Sequence, residues 1–138
     1  MEQPIRNMLK EGIGITDEDL DKLAPSIQKL LSAAPQLMTH KFVFEVVDSC
    51  YCFAGAKVGD KVVFGPGTIQ LNMEETTWAP CIGFFGSMLE HIHIMFDRIA
   101  DGRDPNDTIF PYVECFDRGL AHGGLGKVWL KLRAEKVG

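Results

Sequence analysis

Two of the chain's four cysteines lie one residue apart in the stretch DSCYCFAG, residues 48–55. Such a pair offers a disulfide arm, a metal chelate, a nucleophile or two small apolar side chains. In an extended backbone Cys50 and Cys52 point to the same side, so both can face one centre. Cys81 follows Pro80 at the predicted start of a long helix, where free backbone N–H groups and the helix dipole favour a thiolate. That makes Cys81 the candidate catalytic nucleophile. Cys115 falls in a late strand. Together Cys50, Cys52, Cys81 and Cys115 form a soft donor set suited to zinc or an iron–sulfur cluster. Their spacing is not the paired CxxC pattern of a zinc finger, and burial of free cysteines in an apolar core is the competing explanation.

The remaining polar candidates are weaker. His91 and His93 in EHIHIMF resemble a metal pair, but on a helix they sit about 200° apart and cannot hold one ion together. His93 is expected at the surface. His91 borders the apolar face, as a supporting donor or a satisfied core-edge residue. His122 lies in a loop, where functional residues concentrate, and His40 only enters a strand. Glu45, Asp48 and Glu114 can each supply a general base, although carboxylates near strand ends are usually solvated. The segment GLAHGGLG lacks the Gly-Lys-Ser/Thr ending of a phosphate loop and precedes a strand rather than a helix. It is expected to be a flexible hairpin loop.

These residues need elements to position them. GITDEDLDKLAPSIQKLLSAAP predicts a helix with Thr16 as its N-cap and Asp17, Glu18 and Asp19 in the first turn. Leu20, Leu23, Ile27, Leu30 and Leu31 form its apolar stripe. Pro25 is expected to kink or split it, and Pro35 to close it. HKFVFEVVDSCYC changes to period two, with Phe42, Phe44 and Val46 on one face. KVVF (61–64) is a returning strand and TIQL (68–71) a possible short one. From Cys81 to Ala100, Phe84, Phe85, Met88, Ile92, Met95, Phe96 and Ile99 make a broad apolar face, opposite Glu90, His93 and Asp97. IFPYVECF and KVWLKLR supply the last two strands. The fold expected is α+β: a small, mainly antiparallel sheet packed with one long helix, plus an N-terminal helical extension. It reads as a single domain over 1–138, with the extension at 1–40 and the cysteine-bearing core at 41–138.

Composition narrows the function classes. Among 138 residues, 46% are hydrophobic and 24% charged, close to the globular average. A formal net charge of −5 argues against a nucleic-acid partner, which needs a basic patch. No apolar run approaches the roughly 20 residues of a membrane span. The start MEQPIRNMLKEG lacks the apolar stretch of a secretory signal, so a cytoplasmic location with reduced thiols is expected.

Three blocks, CYCFAGAKVGDKVVF (50–64), APCIGFFGSMLEHIHIMF (79–96) and YVECFDRGLAHGGLGKVWLKLRAE (112–135), carry a resemblance. They are similar to a family of small, functionally uncharacterised bacterial and archaeal proteins with three spaced cysteines. Its marks are a Cys-led segment ending in a Lys-x-Gly-Asp-like run, a cysteine opening an aromatic-rich helix, and a V-x-C strand. Those positions correspond here to Cys52 or Cys50 with Gly59 and Asp60, to Cys81, and to Cys115. The likeness spans roughly residues 41–135. This chain departs from the pattern in its first forty residues and in a longer loop after Cys115. The resemblance implies a cysteine-centred site but no particular reaction.

The leading expectation is therefore a metal- or iron–sulfur-binding protein with Cys50 or Cys52, Cys81 and Cys115 as ligands, and possible redox or metal-assisted chemistry on a small molecule. The alternatives are a metal-free enzyme using Cys81, or a small accessory subunit docking on a larger enzyme through its N-terminal helix. The apolar stripe of that helix must be covered by its own domain or by a second copy in a homo-oligomer.

Overall fold

Residues 1–137 are described by a computed structural model. Alternating aromatic and β-branched residues build β1 (His40–Cys50), which pairs antiparallel with β2 (Lys61–Phe64) on one side. On its other side lies β4 (Lys127–Lys136), the last strand in the chain, and β4 in turn pairs with β3 (Tyr112–Glu114). The sheet order is β2-β1-β4-β3 and every pairing is antiparallel. Four helices precede the sheet: α1 (Gln3–Ile13), α2 (Asp17–Asp21), α3 (Pro25–Ser32) and α4 (Ala34–Leu37). The long helix α5 (Ile82–Ala100) follows β2. The chain is an α+β protein, as its patterning predicts.

One face of the sheet holds the core. Phe42, Phe44 and Val46 of β1, Val62 and Phe64 of β2, and Val128, Leu130, Leu132 and Ala134 of β4 share one apolar cluster with α5. The helix contributes Phe84, Met88, Ile92, Met95 and Ile99, all buried at spacings of three and four residues. Two expectations for this helix need correction. Phe85 is exposed over much of its surface rather than buried, because it falls one residue past Phe84 and about 100° round the helix. Phe96 is half-buried at the margin, edge-on to Phe42 with ring centroids 5.3 Å apart. Glu90, His93 and Asp97 face solvent, as predicted.

The opposite sheet face carries charge. Arg133 reaches Glu45 at 3.3 Å and Glu135 at 2.6 Å, while Lys41 pairs with Glu75 and Glu135. Glu45 is thus committed to a surface ion network and is not free as a general base. Val43 and Val63, neighbours across β1 and β2, are nonetheless buried on this side.

The first forty residues are more broken than their pattern suggests. Ahead of the predicted helix the chain is already helical over Gln3–Ile13, with a proline in its first turn. Pro25 splits the next stretch, since its ring suits a first helical turn but not an interior. Pro35 sits in the first turn of α4 rather than closing a helix, for the same reason. Thr16 caps α2 as expected, its Oγ1 accepting from Asp19 N at 3.1 Å. Of the stripe, Leu20 is buried and Leu23, Leu30 and Leu31 are half-buried within this one chain, whereas Ile27 is exposed. TIQL forms no strand; Leu71 makes a single bridge to Phe64.

Candidate functional site

The two neighbouring cysteines do not share a face. Val47 is an extra residue in β1: Val46 pairs with Leu130, yet Asp48 pairs with Trp129, the next residue along β4. This bulge reverses the alternation for the rest of the strand. Ser49, opposite Val128, then turns inward and donates to Ala56 O at 2.7 Å, while Cys50, opposite Lys127, turns outward and is exposed. Tyr51 next adopts a left-handed backbone with φ 51°, which ends the strand. Cys52 returns to the core side and packs against the apolar cluster. The expectation of a common face fails because it assumes an unbroken strand.

Cys52 meets two other cysteines. It lines a cavity of about 180 Å³ together with Cys81 and Cys115, among Phe53, Ala54, Phe84, Phe116 and Val128. Three chain segments supply the three thiols. The turn after β1 carries Cys52, and Trp78 holds that turn by donating its Nε1–H to Ala54 O at 2.9 Å. Cys81 is the N-cap residue of α5 and makes no capping hydrogen bond through its side chain. Cys115 follows β3, its N–H bonded to Val128 O at 3.0 Å. Cys50 instead lines a neighbouring cavity with Glu114, Arg118, His122, Lys127 and Trp129. All four cysteines are free. Among the described residues no group of three His, Cys, Asp or Glu side chains is arranged to hold a metal ion.

Burial pushes the Cys115 thiol above its ordinary range. The Asp117 N–H, 3.4 Å from Sγ, opposes that rise, while the nearby Cys81, Asp117 and Cys52 add to it. The rim of the cavity is apolar and open: Phe53 and Phe116, which line it, are among the most exposed large side chains of the protein. The Phe116 ring lies directly against Gly83, beside Cys81.

No family profile, curated protein or solved structure matches this chain.

Two supporting residues escape a reading of the sequence. Trp78 is one. The other is Asp117, whose carboxylate closes the loop after Cys115: Oδ1 accepts from Gly119 N at 3.0 Å and Leu125 N at 2.9 Å, and Oδ2 from Gly126 N at 2.8 Å. GLAHGGLG is therefore clasped rather than a free hairpin loop, and a 3₁₀ turn occupies Leu120–His122. A Cβ on Gly124 would collide with Asp117 Oδ1, so the glycine admits the carboxylate. The Asp117-Arg118-Gly119 sequence is the available signal, since Asp two residues before a bonded amide is an Asx-turn pattern.

The amides of Gly126, Gly119 and Leu125 hold the Asp117 carboxyl below the usual carboxylate range. A group with a depressed folded pKa stabilises the fold above its ordinary pKa, and that contribution is lost as pH falls through the depressed value. Asp117→Asn places an amide NH₂ or a weaker acceptor where a carboxylate took three N–H groups. We expect it to speed hydrogen exchange at Gly119, Leu125 and Gly126 at neutral pH, and the gap between wild type and variant to narrow below the carboxylate range. Unchanged exchange at neutral pH would refute the clasp.

His91 is also placed. Its Nδ1 lies 2.8 Å from Ser87 O and its Nε2 3.1 Å from Phe110 O, so the ring ties α5 to the segment before β3, away from the cysteines.

Proposed function

We propose that the cavity lined by Cys52, Cys81 and Cys115 is the functional centre, and that it binds a thiophilic metal or an iron–sulfur cluster. The observation that supports this is the convergence of three thiols from three distant segments on one apolar-walled cavity. Thiols are the donor type a soft metal takes, and the three would have to draw closer together to hold one, since they are not arranged around a common ion as they stand. The nearby Asp117 carboxylate is engaged by three backbone amides, which leaves the thiols as the foremost donors of the cavity. Cys52, Cys81 and Cys115 would hold the metal, and three ligands leave a position open to a small molecule. A metal bound there would supply a Lewis acid or a redox centre. The chain's own part is to bring the thiols toward one another and to wall the inner side of the cavity with the buried Phe84 and Val128. A chain kept in a reducing compartment, as its sequence leads one to expect, would hold these thiols free for a metal. No helix is long and apolar enough to cross a membrane among the described residues.

Anaerobic purification followed by elemental analysis and a visible spectrum tests the proposal. Zinc or iron in stoichiometric amount is expected, lost in each of Cys52→Ser, Cys81→Ser and Cys115→Ser because a hydroxyl is a poor ligand for a soft site. Cys50→Ser should retain it. Metal-free protein from every preparation would overturn the metal reading.

One observation favours a second reading. Cys81 caps a 19-residue helix with its thiol uncommitted to any cap, so the helix N–H groups and dipole are placed to favour a thiolate nucleophile. Metal-free protein in which iodoacetamide modifies Cys81 fastest would select this reading.

A further inference from the structure

Cys81 and Cys115 come from segments locked side by side. The Phe116 ring, next after Cys115, lies against Gly83 in the first turn of α5. A Cβ on that glycine would collide with the ring and stand 3.5 Å from Cys81 Sγ, so the Cys81 sulfur is on the side of α5 that the Cys115 segment covers. Both thiols line the cavity of about 180 Å³ and both are half-buried. A small solute reaches them past the exposed rings of Phe53 and Phe116. Neither is committed to another covalent or capping role: both are free, and Cys81 makes no capping hydrogen bond. Burial is the main cause of the rise in the Cys115 thiol, and of its two sulfur neighbours Cys81 adds more than Cys52. Cys50 faces a different cavity.

We propose that Cys81 and Cys115 are a redox pair, oxidised by a hydroperoxide to a disulfide across this cavity. The proposal rests on the three-thiol cavity of the reading above and gives that site an on–off control, but the disulfide itself needs no metal. Cys81, at the helix start, attacks the peroxide: an S–O bond forms, the O–O bond breaks, and water leaves with the thiol proton. The Cys115 sulfur then attacks the Cys81 sulfenic acid, forming the S–S bond and breaking S–O, and a second water carries off the Cys115 proton. Two thiols are oxidised and one peroxide is reduced. The two sulfurs must meet at about 2.05 Å, and the cavity gives their side chains room to turn toward each other. The disulfide leaves Cys52 alone as a donor, too few to hold a soft metal.

Hydrogen peroxide is the probe, added to the full chain as purified anaerobically and again after treatment with chelator and reductant. Trypsin places Cys81, Cys115 and the Cys50–Cys52 stretch on three separate peptides, so the link can be read by mass after iodoacetamide. The expected product joins the Cys81 and Cys115 peptides, lighter by two hydrogen atoms, with Cys50 and Cys52 alkylated, and dithiothreitol reverses it. Cys115→Ser should lose the link entirely and leave Cys81 as a sulfenic acid that dimedone traps. Cys81→Ser should lose the link as well, and serves if Cys115→Ser does not fold. Cys52→Ser should keep it. Folded wild type that forms no link in the chelated sample overturns the proposal, and so does a link that joins Cys52 or Cys50 to any partner instead. The chelated sample reports on the link alone and elemental analysis on the metal alone, so the two readings fail separately.

Discussion

Replacing Phe84 with alanine should lower the free energy of unfolding by about 3–5 kcal/mol, through lost transfer energy and the cavity left behind. Phe84 is completely buried, stands edge-on to Trp78 with centroids 5.7 Å apart, and forms a wall of the three-cysteine cavity. Stabilities of single domains are typically about 5–15 kcal/mol, so the loss is a large share of the whole. The thiols should respond as well, since Cys52, Cys81 and Cys115 would gain an accessible void beside them. Urea denaturation and the rate of thiol labelling together check this. Phe85→Ala is the control: its ring is 42% exposed and its removal should cost far less. Equal effects from the two substitutions would mean that the rotational setting of α5 is wrong.

Gly126→Ala should destabilise by about 1–3 kcal/mol, in the manner of an overpacked core. A Cβ there would lie 2.6 Å from the Tyr51 carbonyl oxygen and 3.2 Å from its carbon, both backbone atoms that no rotamer change can move. The collision falls on the residue that separates Cys50 from Cys52. Labelling kinetics should therefore change at both cysteines, while stability falls in urea. Wild-type labelling rates in a destabilised variant would show that the contact is structural only, with no hold on the thiols.

Periodicity makes the architecture legible in the amino-acid sequence. Phe42, Phe44 and Val46 alternate, and Phe84, Met88, Ile92, Met95 and Ile99 recur at helical spacing, because each set must bury one face. Cys81 is legible as a helix start from the proline before it. The bulge at Val47 is not, since inserting one residue changes no local composition and shows only in the pairing with β4. That single residue decides which of Cys50 and Cys52 joins Cys81 and Cys115. Glu45 reads as a solvated carboxylate and is a member of an ion network, because its partner Arg133 comes from a strand 88 residues later.

The order of the strands in the sheet also bears on how this chain acquires its fold. β4, the last strand made, lies between β1 and β3, and its ten residues pair with a partner that begins at His40. The principal ladder therefore closes a loop of roughly eighty residues, an entropic cost met before the contacts that offset it. Such non-local pairing places folding toward the slower, millisecond-to-second end of small-domain rates. Until β4 arrives, Phe42, Phe44 and Val46 have an unpaired edge beside them, and the three thiols have no common wall. Assembly of the cysteine cavity is thus a late event, tied to the same step that completes the sheet.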